Sequence, residues 1–165
     1  MEDGLGELKV LLVDDNQHMR AIVSTILKGI GIRHVREACD GAEGLEALRS
    51  WPADIAIVDF RMEPLDGVEF TRLVRNSPDS ANPYLPIIMM TGFADRPRVV
   101  EARDSGVTEL VVKPVTARSV IDRLNAVVFR PRPFVKTHDY FGPRRRGIDD
   151  IAIDEPEYAQ ASVQI

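Results

Sequence analysis

Five short strand-like runs, four of them mostly apolar, alternate with stretches of helical spacing between residues 9 and 129, and that alternation limits the fold more than any other property of the chain. The runs are Lys9–Val13 (K-V-L-L-V), His34–Cys39, Ile55–Val58, Ile87–Met90 and Glu109–Val112. Ile55 to Val58 and Ile87 to Met90 are apolar without a break, the pattern of strands buried on both faces. Between the runs, Met19, Ile22, Val23, Ile26, Leu27 and Ile30 recur at helix spacing, with Asn16 as N-cap and Gly29 and Gly31 as the stop. Leu45 and Leu48 mark a helix over Ala42–Arg49 that Trp51-Pro52 ends, because a residue before proline is pushed out of the α region. Val68–Arg75 and Pro97–Asp104 read as two further helices, separated by the polar loop Asn76–Pro86, and Val120, Ile121, Leu124, Val127 and Val128 make an amphipathic helix ending near Phe129. Strand and helix alternating five times predict a parallel sheet with right-handed crossovers and helices on both faces.

Length and composition agree with one soluble domain plus a tail: 165 residues, 44% hydrophobic and 28% charged. No run approaches the roughly 18 apolar residues of a membrane span, and Met1 to Gly6 has no basic, apolar leader pattern, so a cytoplasmic protein is expected. Cys39 is the single cysteine, which excludes an intrachain disulfide, and it is expected to be a small buried residue. His18, His34 and His138 stand apart without metal-ligand spacing, so any metal must be held by carboxylates.

Polar groups end four of the runs: Asp14 and Asp15 after the first, Asp59 after the third, Thr91 after the fourth and Lys113 after the fifth. In an open parallel sheet the crevice beyond the strand C-termini is where ligands bind, which gathers three carboxylates, a hydroxyl and an ammonium at one place. Three carboxylates repel one another unless a cation joins them, and Mg2+ suits such a set because it takes one or two carboxylates and then phosphate oxygens. Asp59 could then attack phosphorus and form an aspartyl phosphate. Thr91 would donate to one phosphoryl oxygen and Lys113 would pair with another.

D-D at 14 and 15, D-x-x-M-x-x-x-D-G from Asp59 to Gly67, T-G at 91 and K-P at 113 together resemble the CheY-like receiver domain of bacterial two-component response regulators, over residues 8 to 129. The resemblance implies a flavodoxin-like (βα)5 fold, an α/β doubly wound five-stranded parallel sheet of order 2-1-3-4-5, an order carried over from CheY. It implies Asp59 as phosphoacceptor, with Asp14, Asp15, Asp59 and the main-chain carbonyl of Arg61 holding Mg2+. Thr91 becomes the switch hydroxyl, and Lys113 the paired lysine before a peptide bond that is often cis. The sequence departs from the family at three points: Leu110 stands where an aromatic is usual, Glu63 intervenes before Pro64, and Gly92 replaces the common alanine after the switch hydroxyl. Arg61 and Phe93, each two residues past a site group, are bulky enough to shield a phosphoryl group from water, which predicts slow self-dephosphorylation.

The chain divides on this reading into an extension at 1–7, the receiver at 8–129 and a flexible tail at 130–165. The tail is basic over 130–146, with six basic residues, one acid and three prolines, and acidic over 147–165, with five acids and no Lys or Arg. The two parts cancel, so the net charge of −5 belongs to residues 1 to 129. Arg130, Arg132, Arg144, Arg145 and Arg146, interleaved with Tyr140 and Phe141, can pair phosphates and stack on bases, and they resemble arginine-rich extensions that bind cyclic di-GMP on stand-alone CheY-like proteins of the flagellar motor. No DNA-binding or other output domain follows, so the output is expected to be a binding event. The implied donors are a sensor histidine kinase or a histidine phosphotransfer protein; the protein target is unknown. The protein would be no enzyme beyond catalysing its own phosphorylation and dephosphorylation, the alternatives being the cyclic di-GMP regulator, a phosphate sink or a degenerate receiver.

Overall fold

In a computed structural model that describes residues 3–146 and 162–163, five parallel strands form one sheet with helices on both faces. The strands are β1 Lys9–Val13, β2 His34–Ala38, β3 Ile55–Asp59, β4 Ile87–Thr91 and β5 Glu109–Val112. The helices are α1 Gln17–Gly29, α2 Gly41–Ser50, α3 Gly67–Asn76, α4 Arg96–Ser105 and α5 Ala117–Phe129. The parallel order is β2-β1-β3-β4-β5, the doubly wound order expected. A sixth strand that spacing does not reveal, β8 Ser162–Val163, pairs antiparallel with the outer edge of β5.

Alternation along the buried strands builds two cores. Leu11, Val13, Ala56, Val58, Ile87, Met89, Leu110 and Val112 share one cluster with Val68, Phe70 and Val74 of α3 and Val99 and Ala102 of α4. Val10, Leu12, Ile55, Ile57, Ile88, Met90 and Val111 share the other with Val23 and Leu27 of α1 and Val120, Leu124 and Val127 of α5. Every residue of β3, β4 and β5 is buried, whereas β2, at the opposite edge, is largely exposed and correspondingly less apolar.

Each helix starts where a short polar side chain can satisfy an amide that the helix leaves unbonded. Asn16 accepts from the Met19 amide, Asp40 from Glu43, Asp66 from Glu69, Asp95 from Arg98 and Thr116 from Ser119. At α3 the exchange is reciprocal, because Glu69 accepts from the Asp66 amide. Gly106 ends α4 at φ 106°, a left-handed conformation that a side chain would strain.

The basic stretch after α5 is not a featureless tail. Phe134–Lys136 (β6) and Phe141–Pro143 (β7) form an antiparallel hairpin, Phe134 opposite Pro143 and Lys136 opposite Phe141. It packs at the N-terminal ends of β4 and β5, away from the strand C-termini. Phe134, Phe141 and Tyr84 of the α3–β4 loop group their rings with centroids 5.0 to 5.5 Å apart. Arg75 at the end of α3 is buried beneath them, donating from Nε to Gly106 O at 3.0 Å and from Nη1 to Pro83 O at 2.9 Å, with its guanidinium 5.0 Å from the Phe134 ring centroid. Burial pulls the Arg75 pKa down to about 10. Arg132 donates to Thr108 O at 2.7 Å and Tyr140 to Pro143 O at 2.6 Å. The apolar area of the three rings and these bonds explain why a proline-rich, charged stretch is ordered here. The acidic part of the tail, apart from β8, lies outside the described residues. At the other terminus Leu5 sits fully buried in the 3-10 turn Asp3–Glu7, so the short extension also contributes to the core.

Candidate functional site

Asp14 and Asp15 follow β1, Asp59 and Thr91 end β3 and β4, and Lys113 follows β5, so all five stand at the C-terminal end of the sheet. A ligand oxygen from each of Asp14, Asp15 and Asp59 lies within 4.8 Å of the other two. Lys113 Nζ lies 2.6 Å from Asp59 Oδ1. Lys113-Pro114 is a cis peptide, and so is Glu63-Pro64 in the loop after β3, where this sequence departs from the family pattern.

Parallel register fixes these positions. Val13 pairs with Val58, Asp59 with Met90 and Thr91 with Val112, so Asp14 and Asp59 end their strands at one level of the sheet and Thr91 lies one residue beyond it. The loop from β3 to α3 closes tightly on this level: Gly67 donates to Phe60 O at 2.9 Å, and a Cβ at Gly67 would lie 2.4 Å from Asp59 O. Glycine is required there by close approach of two backbone segments.

Burial makes the acids costly. Asp14 is fully buried and Asp59 nearly so, whereas Asp15 faces solvent. Loss of water, helped by the neighbouring Asp14 and Asp15 charges, pushes the Asp59 pKa up to about 6 against the pull of Lys113. Asp14 is also raised, first by burial, while the Asn16 amide, 2.9 Å from Oδ1, works the other way. Asp14 Oδ2 is buried and has no hydrogen-bond partner among the described residues. A buried carboxylate oxygen with no donor, aimed into a cluster of acids, is what a hard divalent cation would satisfy, and the all-oxygen donor set suits Mg2+.

Around this centre the departures become concrete. Thr91 Oγ1 donates to Phe93 O at 2.9 Å and lies 3.2 Å from the Phe93 amide, so the hydroxyl is turned into the β4–α4 loop. Phe93 is 59% exposed, with the Arg98 guanidinium 5.0 Å from its ring centroid, and Arg61 lines the cleft beside Asp15 with Met62, Arg98 and Glu101. A Cβ at Gly92 would meet nothing within 4 Å, which leaves that turn open. Leu110 is buried in the same cluster as Val99 and Ala102 of α4, an aliphatic side chain where a rotating aromatic is usual. Cys39 is exposed instead of buried; Glu43 and Asp40 accept from its thiol, and the hydrogen bond to Glu43 is the first cause raising its pKa, which disfavours a thiolate.

Tyr140, Phe141, Arg132 and Arg145 of the C-terminal stretch place their side chains in contacts within the fold, whereas Arg130 and Arg144 are exposed and contribute main-chain bonds. Tyr140 is buried, Phe141 is in the ring cluster, and Arg145 spans Tyr140, 4.2 Å from its centroid, to reach Asp104 at 2.9 Å. Arg103 donates to Arg146 O at 3.1 Å, and the Arg144 amide donates to Pro133 O. Arg130 closes α5 through its own amide, bonded to Ala126 O. The hairpin is a feature that residue spacing alone does not disclose; the signal available was Phe134, Tyr140 and Phe141 recurring among prolines.

A parallel five-stranded sheet carrying an acid cluster, a hydroxyl and a lysine at its C-terminal end defines a receiver-type protein. The response regulator receiver domain family matches residues 10–125, and the chain belongs to that family. It is 32% identical over 123 residues to the chemotaxis protein CheY-3 of Vibrio cholerae, covering 74% of this chain and 93% of that protein. To the chemotaxis protein CheY of Pseudomonas aeruginosa it is 34% identical over 123 residues, covering 74% and 98%. The solved structure of CheY4 of Vibrio cholerae superposes with a TM-score of 0.67 at 32% identity, covering 73% of this chain and 98% of that one. Among the described residues no helix is long and apolar enough to cross a membrane.

Proposed function

We propose that Asp59 accepts a phosphoryl group from a phosphohistidine of a sensor kinase or phosphotransfer protein, and that the chain signals through protein binding that depends on that group. The contact of Lys113 with Asp59 inside the cluster of three acids carries this reading. A carboxylate oxygen of Asp59 forms the new P–O bond while the P–N bond to the donor imidazole breaks, leaving the imidazole neutral once it takes up a proton. Asp14, Asp15, Asp59 and the Arg61 carbonyl would hold Mg2+, which when bound neutralises charge on the carboxylates and the phosphoryl oxygens.

Lys113 supplies a compact positive charge beside the acceptor, and after transfer it pairs with a phosphoryl oxygen instead of Asp59 Oδ1. Thr91 exchanges its bond to Phe93 O for one to the phosphoryl group, and the β4–α4 loop it now braces is released to rearrange. With Leu110 packed under α4, the change at Thr91 would be passed on through that loop rather than through aromatic rotation. Cyclic di-GMP binding by the basic stretch is the less favoured reading, because Tyr140, Phe141 and Arg145 are already spent on contacts within the fold.

Labelling with acetyl phosphate and Mg2+ tests the proposal: uptake by the wild type and none by Asp59→Ala is expected. Label retained by Asp59→Ala, or absent from the wild type as in a degenerate receiver, would refute it.

A further inference from the structure

We infer that Arg20 is a positioning residue for the acid cluster: its guanidinium holds the main chain at Asp14, and Glu37 aims the guanidinium. This role rests on the reading of Asp14, Asp15 and Asp59 as a Mg2+ site.

Asp14 and Asp15 stand in the short turn between β1 and α1, past the strand and before the helix. Asp14 is tied there at three points: its amide donates to Ala38 O at 3.2 Å, its Oδ1 accepts from the Asn16 amide at 2.9 Å, and its carbonyl oxygen accepts from Arg20 Nη1 at 2.7 Å. The first two bonds use main-chain donors. The third needs the Arg20 side chain, and it is a charge-assisted bond to a residue with no exposed surface. Without it the carbonyl of a buried residue loses this donor, and the turn is freer to rotate both carboxylates away from Asp59.

Helix stability does not explain this arginine. Arg20 is the fourth residue of α1, in the first turn, where the helix dipole disfavours a cation. Its side chain is 16% exposed, folded onto the turn instead of reaching into water. Nε donates to Glu37 Oε1 at 3.1 Å, and because the donors of a guanidinium are fixed in one plane, a bond at Nε sets where Nη1 points. Glu37 is placed by β2, whose register sets it opposite Leu12, two residues before Asp14. As an ion pair with a half-exposed carboxylate the contact is worth little, but as an aiming device it ties the edge strand to the acid cluster.

Charge and position predict opposite outcomes at Arg20. A cation beside a cation site repels the metal, so its removal would tighten Mg2+ binding if charge were its whole effect. Removal of a group that holds metal ligands in place weakens binding instead, by about tenfold or more.

Calorimetric titration of the metal-free full chain with Mg2+ tests the role. Arg20→Ala should bind Mg2+ about tenfold more weakly than the wild type. Glu37→Ala should bind it about threefold more weakly, and Glu37→Gln, which keeps an acceptor for Nε, should stay close to the wild type. Because Glu37 acts through Arg20, adding Glu37→Ala to Arg20→Ala should weaken binding no further. Acetyl phosphate labelling at saturating Mg2+ should run close to the wild-type rate in each variant, since Asp59, Thr91 and Lys113 are unchanged. Equal or tighter Mg2+ binding by Arg20→Ala would overturn the role, and so would an additive loss in the double variant. Should Arg20→Ala fail to fold, the exposed Glu37 variants decide: unchanged affinity in Glu37→Ala, or an equal loss in Glu37→Ala and Glu37→Gln, overturns it. A wild type that binds Mg2+ but takes no label refutes the phosphoacceptor reading alone, whereas a wild type that binds no Mg2+ overturns the role of Arg20.

Discussion

Replacing Asp59 by Asn in metal-free protein should stabilise the fold at neutral pH, and the size of the effect follows from the site. Asp59 is 5% exposed and lies beside Asp14 and Asp15, and its carboxyl is raised from 3.8 to about 6 even with Lys113 at 2.6 Å. That difference corresponds to about 3 kcal/mol against the ionised folded state above pH 6. The sign follows from proton binding. As pH rises through the window between 3.8 and about 6, the unfolded chain gives up this proton first, so the wild type loses stability across the window and levels off above it. Asn has nearly the same shape and no charge, so it avoids that loss but forgoes the ionic contact with Lys113. Urea unfolding in EDTA should therefore show Asp59→Asn more stable than the wild type by about 1–3 kcal/mol at pH 7.5, the gap narrowing toward zero near pH 4. A gap that is absent at pH 7.5, or that does not change with pH, would refute the account of a carboxylate held ionised at a cost.

Three further outcomes are expected. Gly67→Ala should cost at least about 2 kcal/mol and abolish acetyl phosphate labelling, since its Cβ meets Asp59 O at 2.4 Å; chemical denaturation and labelling check both. Trimming Arg61 and Phe93 together to alanine should shorten the half-life of the labelled protein, measured by decay of bound label, and an unchanged half-life removes their shielding role. Phe134→Ala should destabilise the protein by about 1–3 kcal/mol and expose Arg75, detected by denaturation and by faster exchange of the Gly106 amide, because the ring covers a buried guanidinium.

The sheet and the acid cluster were legible because each depends on contiguous residues. Ile55 to Asp59 and Ile87 to Thr91 carry their burial pattern in five consecutive positions, and parallel register then places Asp59 and Thr91 within one residue of the same level without further information. Helix limits were legible to within a residue or two, as at α1, where Asn16 is the cap that the sequence suggests.

The hairpin was not, because its cause is remote. Phe134 is held by Tyr84 and Arg75, about fifty residues earlier in the chain, and strands of three residues among prolines show no period. Arg75 itself reads as a solvated helix-end charge, and only Gly106 O and Pro83 O, brought up by other elements, explain its burial. Only two residues of β8 are among the described residues, and Cys39 lies exposed because β2 is an outer strand of the sheet, where the apolar habit of cysteine counts for little.

The central claim, that Asp59 is the residue which takes the phosphoryl group, is tested most directly by trapping the acyl phosphate. Borohydride reduces an aspartyl phosphate to homoserine, and peptide mapping of acetyl phosphate-treated protein should find homoserine at position 59. Homoserine at Asp14, Asp15 or any other acid, or at none while label is incorporated, would contradict the account.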